Sequence, residues 1–139
     1  MAQRVREIMT GSPVTLPKDA PIVEAARLMR DHGIGDVIVM DGDRAEGILT
    51  DRDIVVRAVA EGRDPQTVPV EQVISGGLTA VAPDDPVDRA IQVMREQAIR
   101  RVPVVQEGKP IGILSIGDLA IERDPDSALA DISEEPPNR

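Results

Sequence analysis

Residues 5–53 reappear at residues 70–118, at a constant offset of 65 and without a gap. This duplication limits the chain to folds that two copies of one small unit can build. Fourteen of the 49 aligned positions are identical, where composition alone would give about three or four. The identities include Pro21/Pro86, Ala25/Ala90, Met29/Met94, Arg30/Arg95, Ile34/Ile99, Val37/Val102, Val39/Val104, Gly47/Gly112, Ile48/Ile113, Leu49/Leu114 and Asp53/Asp118. Thr50/Ser115 and Ile22/Val87 are conservative pairs.

Each copy carries the same order of patterns. Pro21 and Pro86 stand where a first helical turn tolerates proline, after acidic residues that suit a helix N-terminus. Ile22, Ala25, Ala26, Leu28 and Met29 then recur at helical spacing, as do Val87, Ala90, Ile91, Val93 and Met94. Gly33 closes the first of these helices, and Ala98 takes its place in the second copy. Two short β-branched runs follow, 37–40 and 47–49 in one copy, 102–105 and 111–114 in the other. The glycine-containing stretch between the runs signals a hairpin. A second helix begins at Thr50 or Ser115, and the apolar stretch 54–60 within the first of these reads as largely buried. Each copy is thus a β-α-β-β-α unit of an α/β fold. The first copy spans 1–61, a proline-containing connector 62–69, the second copy 70–130, and a polar, flexible tail 131–139.

The 139 residues allow one compact domain or two tightly joined small ones. Phe, Tyr and Trp are absent, so the core must be built from aliphatic residues and five methionines. Any ring the chain binds must sit between aliphatic side chains. A net charge of -9 argues against nucleic acid and against docking on anionic lipid. A single nucleotide remains compatible, because a local arginine cluster overcomes a distant negative average. With no cysteine and one histidine, there is no thiol nucleophile, disulfide framework or Cys/His zinc pattern. The first residues lack the apolar run of a signal peptide, and no stretch reaches the ~18 apolar residues of a membrane span. The expectation is a cytoplasmic protein.

Gly47-Ile-Leu-Thr-Asp-Arg-Asp53 and Gly112-Ile-Leu-Ser-Ile-Gly-Asp118 close the two copies, and Ile99-Arg-Arg-Val-Pro-Val-Val105 opens the hairpin of the second. A duplicated β-α-β-β-α unit with these motifs resembles the cystathionine-β-synthase (CBS) domain family, in its stand-alone paired form. The resemblance runs from Val5 to about Ile121. It implies a pseudo-twofold pair with two clefts between the repeats. It further implies that the motif aspartates, Asp53 and Asp118, hold ribose hydroxyls, while Thr50 and Ser115 approach phosphates.

The residue chemistry suits those roles. A carboxylate can accept hydrogen bonds from two vicinal hydroxyls, and a helix N-terminus offers free N–H groups to an anion. Yet Thr50-x-x-Asp53 and Ser115-x-x-Asp118 also have the spacing of a capping box, which needs no ligand. The residues alone leave both readings open. Gly47 and Gly112 either allow close backbone approach or mark a bulge. Arg100 and Arg101 are the phosphate candidates, with a solvated strand end as the alternative. Their counterparts, Gly35 and Asp36, would not serve an anion, so the two sites are not equivalent. Family geometry lets the aspartate of one repeat work with the basic residue of the other, which favours Asp53 with Arg101. His32 reads as a surface histidine, and Met29 and Met94 as matching core positions. Asp41, Asp43, Asp51 and Asp53 lack calcium-loop spacing.

No catalytic constellation emerges, so the chain reads as a regulatory binding module rather than an enzyme. The ligand class is AMP, ADP or ATP, with S-adenosylmethionine or an NAD-type ligand ranked behind, and no cofactor is required. The expected assembly is a homodimer, motivated by the apolar stretches 54–60 and 90–94, acting on an unidentified regulated protein. The alternatives are a scaffold that keeps the fold with vestigial sites, and a subunit of an enzyme whose catalytic chain is separate.

Overall fold

The repeated pattern of apolar residues becomes two sets of the same elements. The computed structural model describes residues 3–74, 77–124 and 126–135; the last four residues of the expected tail lie outside this range. In chain order the elements begin with α1 (Val5–Ile8), β1 (Thr10–Gly11), β2 (Thr15–Pro17) and α2 (Ile22–His32). The hairpin β3 (Asp36–Asp41) and β4 (Arg44–Thr50) leads into a short α3 (Asp51–Asp53), which continues as π-helical turns over Ile54–Val59. A 3-10 turn at Val70–Gln72 precedes α4 (Val87–Gln97), β5 (Arg101–Gln106), β6 (Lys109–Ser115), α5 (Ile116–Arg123) and α6 (Ala128–Glu134). The β-α-β-β-α order holds in both copies, although the first strand of the second is reduced to one parallel bridge between Val81 and Val104. α6 extends through Glu134 into the segment read from the sequence as tail.

Pro21 and Pro86 stand one position earlier than the first helical turn, as N-caps with extended backbone. Proline has no side-chain group to accept from the helix's free N–H groups, so main-chain carbonyls do it. Ile22 N–H donates to the Val68 carbonyl at 3.0 Å, and Val87 N–H donates to the Gln3 carbonyl at 3.0 Å. Return bonds run from Val70 N–H to the Ala20 carbonyl and from Val5 N–H to the Asp85 carbonyl. The segment that opens each repeat in sequence therefore serves the helix of the other repeat.

The chain accordingly divides into two compact units that are not the sequence repeats. One is Val14–Leu78; the other joins the described residues through Pro13 to those from Thr79 onward. In the first unit β2 pairs parallel to β3, which pairs antiparallel to β4. In the second unit β1 and β5 both pair antiparallel to β6. Both hairpins are bulged one step past a glycine: Val39 faces Gly47 and Val104 faces Gly112 before each register shifts. Gly112 also allows close approach, because a Cβ there would stand 2.6 Å from Met9 Sδ and 2.8 Å from the Thr10 carbonyl. At Gly112 both readings hold together; at Gly47 the bulge is present, and the neighbour is the Ile74 side chain rather than backbone.

Each unit has its own aliphatic core. Leu16, Ile22, Ala25, Met29, Val37, Val39, Leu49 and Val70 are buried in one, and Val5, Val81, Ala90, Met94, Val102, Val104 and Leu114 in the other. Burying one such valine, leucine or isoleucine contributes about 1.5–3 kcal/mol, so stacked aliphatics replace the missing aromatics. The stretch 54–60 departs from expectation. Ile54 and Ala58, four apart, face the core, while Val55, Val56 and Val59 are 58%, 43% and 63% exposed. A helix lying on one sheet face covers only one stripe of its side chains. His32 is exposed at the end of α2, as read from the sequence.

Candidate functional site

The turn from β6 into α5 positions the second motif. Ser115 has extended backbone and caps α5: its Oγ accepts from Asp118 N–H at 3.1 Å, while Asp118 Oδ2 accepts from Ser115 N–H at 2.9 Å. Ile116 N–H donates to the Arg100 carbonyl at 2.9 Å. That bond fixes the start of α5 beside the start of β5, where Arg100 and Arg101 stand.

The result is a cavity of about 410 Å³ lined by Arg100, Arg101, Ser115, Ile116, Gly117, Asp118, Ile121 and Ser133. Its volume lies within the range of small-molecule sites, about 300–1,000 Å³. Four of the six residues singled out from the sequence meet here: two guanidinium groups, one hydroxyl and one carboxylate. A guanidinium fork matches phosphate geometry, and the carboxylate accepts hydroxyl donors. Ile116 and Ile121 supply apolar wall, in keeping with a chain that has no aromatic ring to stack.

Thr50 and Asp53 form the same capping box in the other unit. Thr50 Oγ1 accepts from Asp53 N–H at 3.1 Å, Asp53 Oδ2 accepts from Thr50 N–H at 3.0 Å, and Asp51 N–H donates to the Gly35 carbonyl at 3.0 Å. The frame is duplicated down to the hydrogen bond, but Gly35 and Asp36 hold the places of the arginines. Asp53 and Arg101, paired by the resemblance, belong to different compact units.

The second carboxylate oxygen distinguishes the two aspartates. Asp118 Oδ1 accepts from Thr10 Oγ1 at 3.3 Å, whereas Asp53 Oδ1 lies 3.4 Å from Arg57 Nε. Thr10 and Ser133 were not singled out by the sequence reading. Thr10 comes from the far end of the chain, and its arrival depends on the exchange of opening segments. Ser133 lies in the stretch read as tail. The signal for it was the pair Arg52/Gly117, one of two adjacent unmatched pairs, with Asp51/Ile116, inside the repeated motif.

Among the described residues, no group of three or more His, Cys, Asp or Glu side chains is placed to hold a metal ion. No helix among them is long and apolar enough to cross a membrane.

The chain matches the family model of the CBS domain over residues 5–59 and again over 70–123. It is 39% identical over 133 residues to the CBS domain-containing protein YhcV of Bacillus subtilis, covering 93% of this chain and 94% of that protein. It is 35% identical over 116 residues to hypoxic response protein 1 of Mycobacterium tuberculosis, covering 83% of this chain and 81% of that one. A crystal structure of Hypoxic Response Protein I with two coordinated zinc ions superposes with a TM-score of 0.78 at 34% identity, covering 85% of this chain and 97% of that chain. The CBS domain pair of protein MJ0100, in complex with 5-methylthioadenosine and S-adenosyl-L-methionine, superposes with a TM-score of 0.80 at 25% identity, covering 91% and 100%. A hexameric CBS-CP12 protein from bloom-forming cyanobacteria gives a TM-score of 0.78 at 31% identity, covering 89% and 74%. Among the described residues, the single histidine, His32, is exposed and belongs to no group placed to hold a metal ion.

Proposed function

Because the chain belongs to the CBS-domain family and carries the domain twice, we propose that it is a regulatory module binding an adenosine-containing ligand such as AMP, ADP or ATP. The observation that carries this reading is the convergence of Arg100, Arg101, Ser115 and Asp118 on one cavity at the start of α5. The arginines and Ser115 take the phosphates. Asp118 accepts from the ribose hydroxyls through Oδ1, which keeps a lone pair beside its 3.3 Å bond from Thr10 Oγ1, while Oδ2 is engaged by Ser115 N–H. The MJ0100 pair, which binds S-adenosyl-L-methionine and 5-methylthioadenosine, supports the adenosine class. In that protein the ligands are not nucleoside polyphosphates, so the arginines are what favour a phosphorylated ligand here.

The module acts in the cytoplasm through binding, as a homodimer that modulates a separate protein. The self-association face is the exposed row Val55, Val56 and Val59. The stretch 90–94 does not contribute, since Ala90, Val93 and Met94 are buried in their own unit's core.

The test is calorimetric titration with ATP, AMP and adenosine, accompanied by thermal denaturation. A ligand at 100 times its dissociation constant adds about 2.7 kcal/mol of apparent stability. A second reading, a scaffold with vestigial sites, is favoured by one observation: both motif aspartates already serve as capping partners. Absence of binding by all three ligands would overturn the nucleotide reading and favour the scaffold.

A further inference from the structure

The match to the CBS domain ends at residue 123, but the wall of the cavity does not. Ser133, near the end of α6, lines it together with Arg100, Arg101, Ser115 and Asp118. α6 is held there by specific features of this sequence. Ser127 caps it by accepting from Ala130 N–H at 3.0 Å, and Ala130 is fully buried. A helix of seven residues is too short to persist without such packing.

Gly117 is the seat for this helix. A Cβ on Gly117 would stand 2.7 Å from Ser133 Oγ, 3.0 Å from Ser133 Cβ and 3.5 Å from Ser115 Oγ. Both serine hydroxyls therefore border the point that Gly117 leaves open. In the first copy the same motif position is Arg52, and the chain there runs on into the connector, with no helix corresponding to α6. The departure from the repeat at Gly117 and the presence of α6 are two sides of one arrangement.

We propose that α6 is a ligand-sensing strap, in which Ser133 donates its hydroxyl to the same anionic group that Arg100, Arg101 and Ser115 receive. This rests on the nucleotide reading above and deepens it, by naming how occupancy of the cavity is relayed. The Ser133 contact exists only while α6 is docked on α5. A phosphorylated ligand therefore favours the docked strap, and the docked strap favours the ligand by the same factor. A ligand without phosphate leaves Ser133 unengaged and the strap unaffected. The output of the module is then the position of its C-terminal helix, whose outer residues Leu129 and Ile132 are 43% and 72% exposed.

The test uses the full chain with ATP and adenosine as probes. Affinity is read by calorimetry, and docking by hydrogen exchange at the α6 amides of Ala130 and Asp131. ATP should slow exchange at those amides about tenfold more than adenosine does. Ser133→Ala should weaken ATP about three- to tenfold and leave adenosine unchanged. Gly117→Ala, which crowds Ser133 at its Oγ and displaces it without removing the hydroxyl, should reproduce that loss. ATP binding with α6 exchange unaltered, or with Ser133→Ala silent, overturns the strap and leaves the nucleotide reading standing. Failure of both probes to bind overturns the nucleotide reading, and the strap with it.

Discussion

Ala98 holds φ 55° and ψ 43° where its counterpart Gly33 holds φ 64° and ψ 40°, each just past the end of an eleven-residue helix. The backbone turns left-handed at both places so that the chain can enter the hairpin. At Gly33 the conformation carries no steric penalty; at Ala98 the Cβ crowds the following carbonyl. Ala98 is exposed, so its methyl group contributes little packing in return. Ala98→Gly should therefore stabilise the protein by about 0.5–1 kcal/mol, and Gly33→Ala should destabilise it by about 1 kcal/mol. Urea denaturation of both variants checks the pair of signs.

Gly47 and Gly112 are identical in sequence and in register, yet they should not tolerate alanine equally. At Gly112 an added Cβ meets the backbone carbonyl of Thr10, which cannot yield without loosening β1 from β6. At Gly47 it meets only the tip of Ile74, at 3.1 Å, and that side chain can rotate away. Gly112→Ala should cost about 1–3 kcal/mol, and Gly47→Ala clearly less. Equal losses would mean that the bulge, common to both, sets the cost rather than the approach of β1.

The duplication made the fold class legible, because matched apolar positions 65 residues apart had to occupy matched places in two cores. Met29 and Met94 do so, as do Leu49 and Leu114. What the alignment could not reveal was the exchange of opening segments. Gln3 bonding Val87, and Val68 bonding Ile22, are main-chain contacts, and main-chain groups leave no trace in side-chain identity. The site was legible to the extent that it is motif. Ser115, Asp118, Arg100 and Arg101 carry chemistry in their side chains. Thr10 and Ser133 enter through packing of segments remote in sequence, and only the intrusion of Gly117 at the place of Arg52 hinted at one of them. The stretch 54–60 misled because seven largely apolar residues read as a buried helix, whereas one face of it is covered and the other is left to solvent.

That open face gives a prediction about assembly. Val55 and Val59 lie one helical turn apart with Val56 beside them, and all three are exposed. Clustered apolar residues of this kind mark association surfaces. Val59→Glu should convert the proposed homodimer to monomer, as read by light scattering at micromolar concentration. The variant should keep its fold, because Val59 is not part of either core. A wild-type protein already monomeric under those conditions refutes the assembly.

The last prediction decides which aspartate serves the ligand. Within one unit, the cavity joins Asp118 to Arg100 and Arg101; the family resemblance instead pairs Asp53 with Arg101. Asp118→Ala should weaken ATP and adenosine alike by about ten- to hundredfold, the loss expected for a hydrogen bond to a charged group. Arg101→Ala should weaken ATP while sparing adenosine, since a guanidinium acts on phosphate. Asp53→Ala should have the smaller effect, because Gly35 and Asp36 hold the places that Arg100 and Arg101 take beside Asp118. Each aspartate also belongs to a capping box, and the loss of such an interaction costs about 0.5–2 kcal/mol of stability by itself. Stability without ligand must therefore be measured first for both variants. Thr50→Ala and Ser115→Ala provide the scale for the capping contribution alone. A larger loss of ATP affinity from Asp53→Ala than from Asp118→Ala, after that correction, would assign the ribose to Asp53 and overturn the placement of the nucleotide in the α5 cavity.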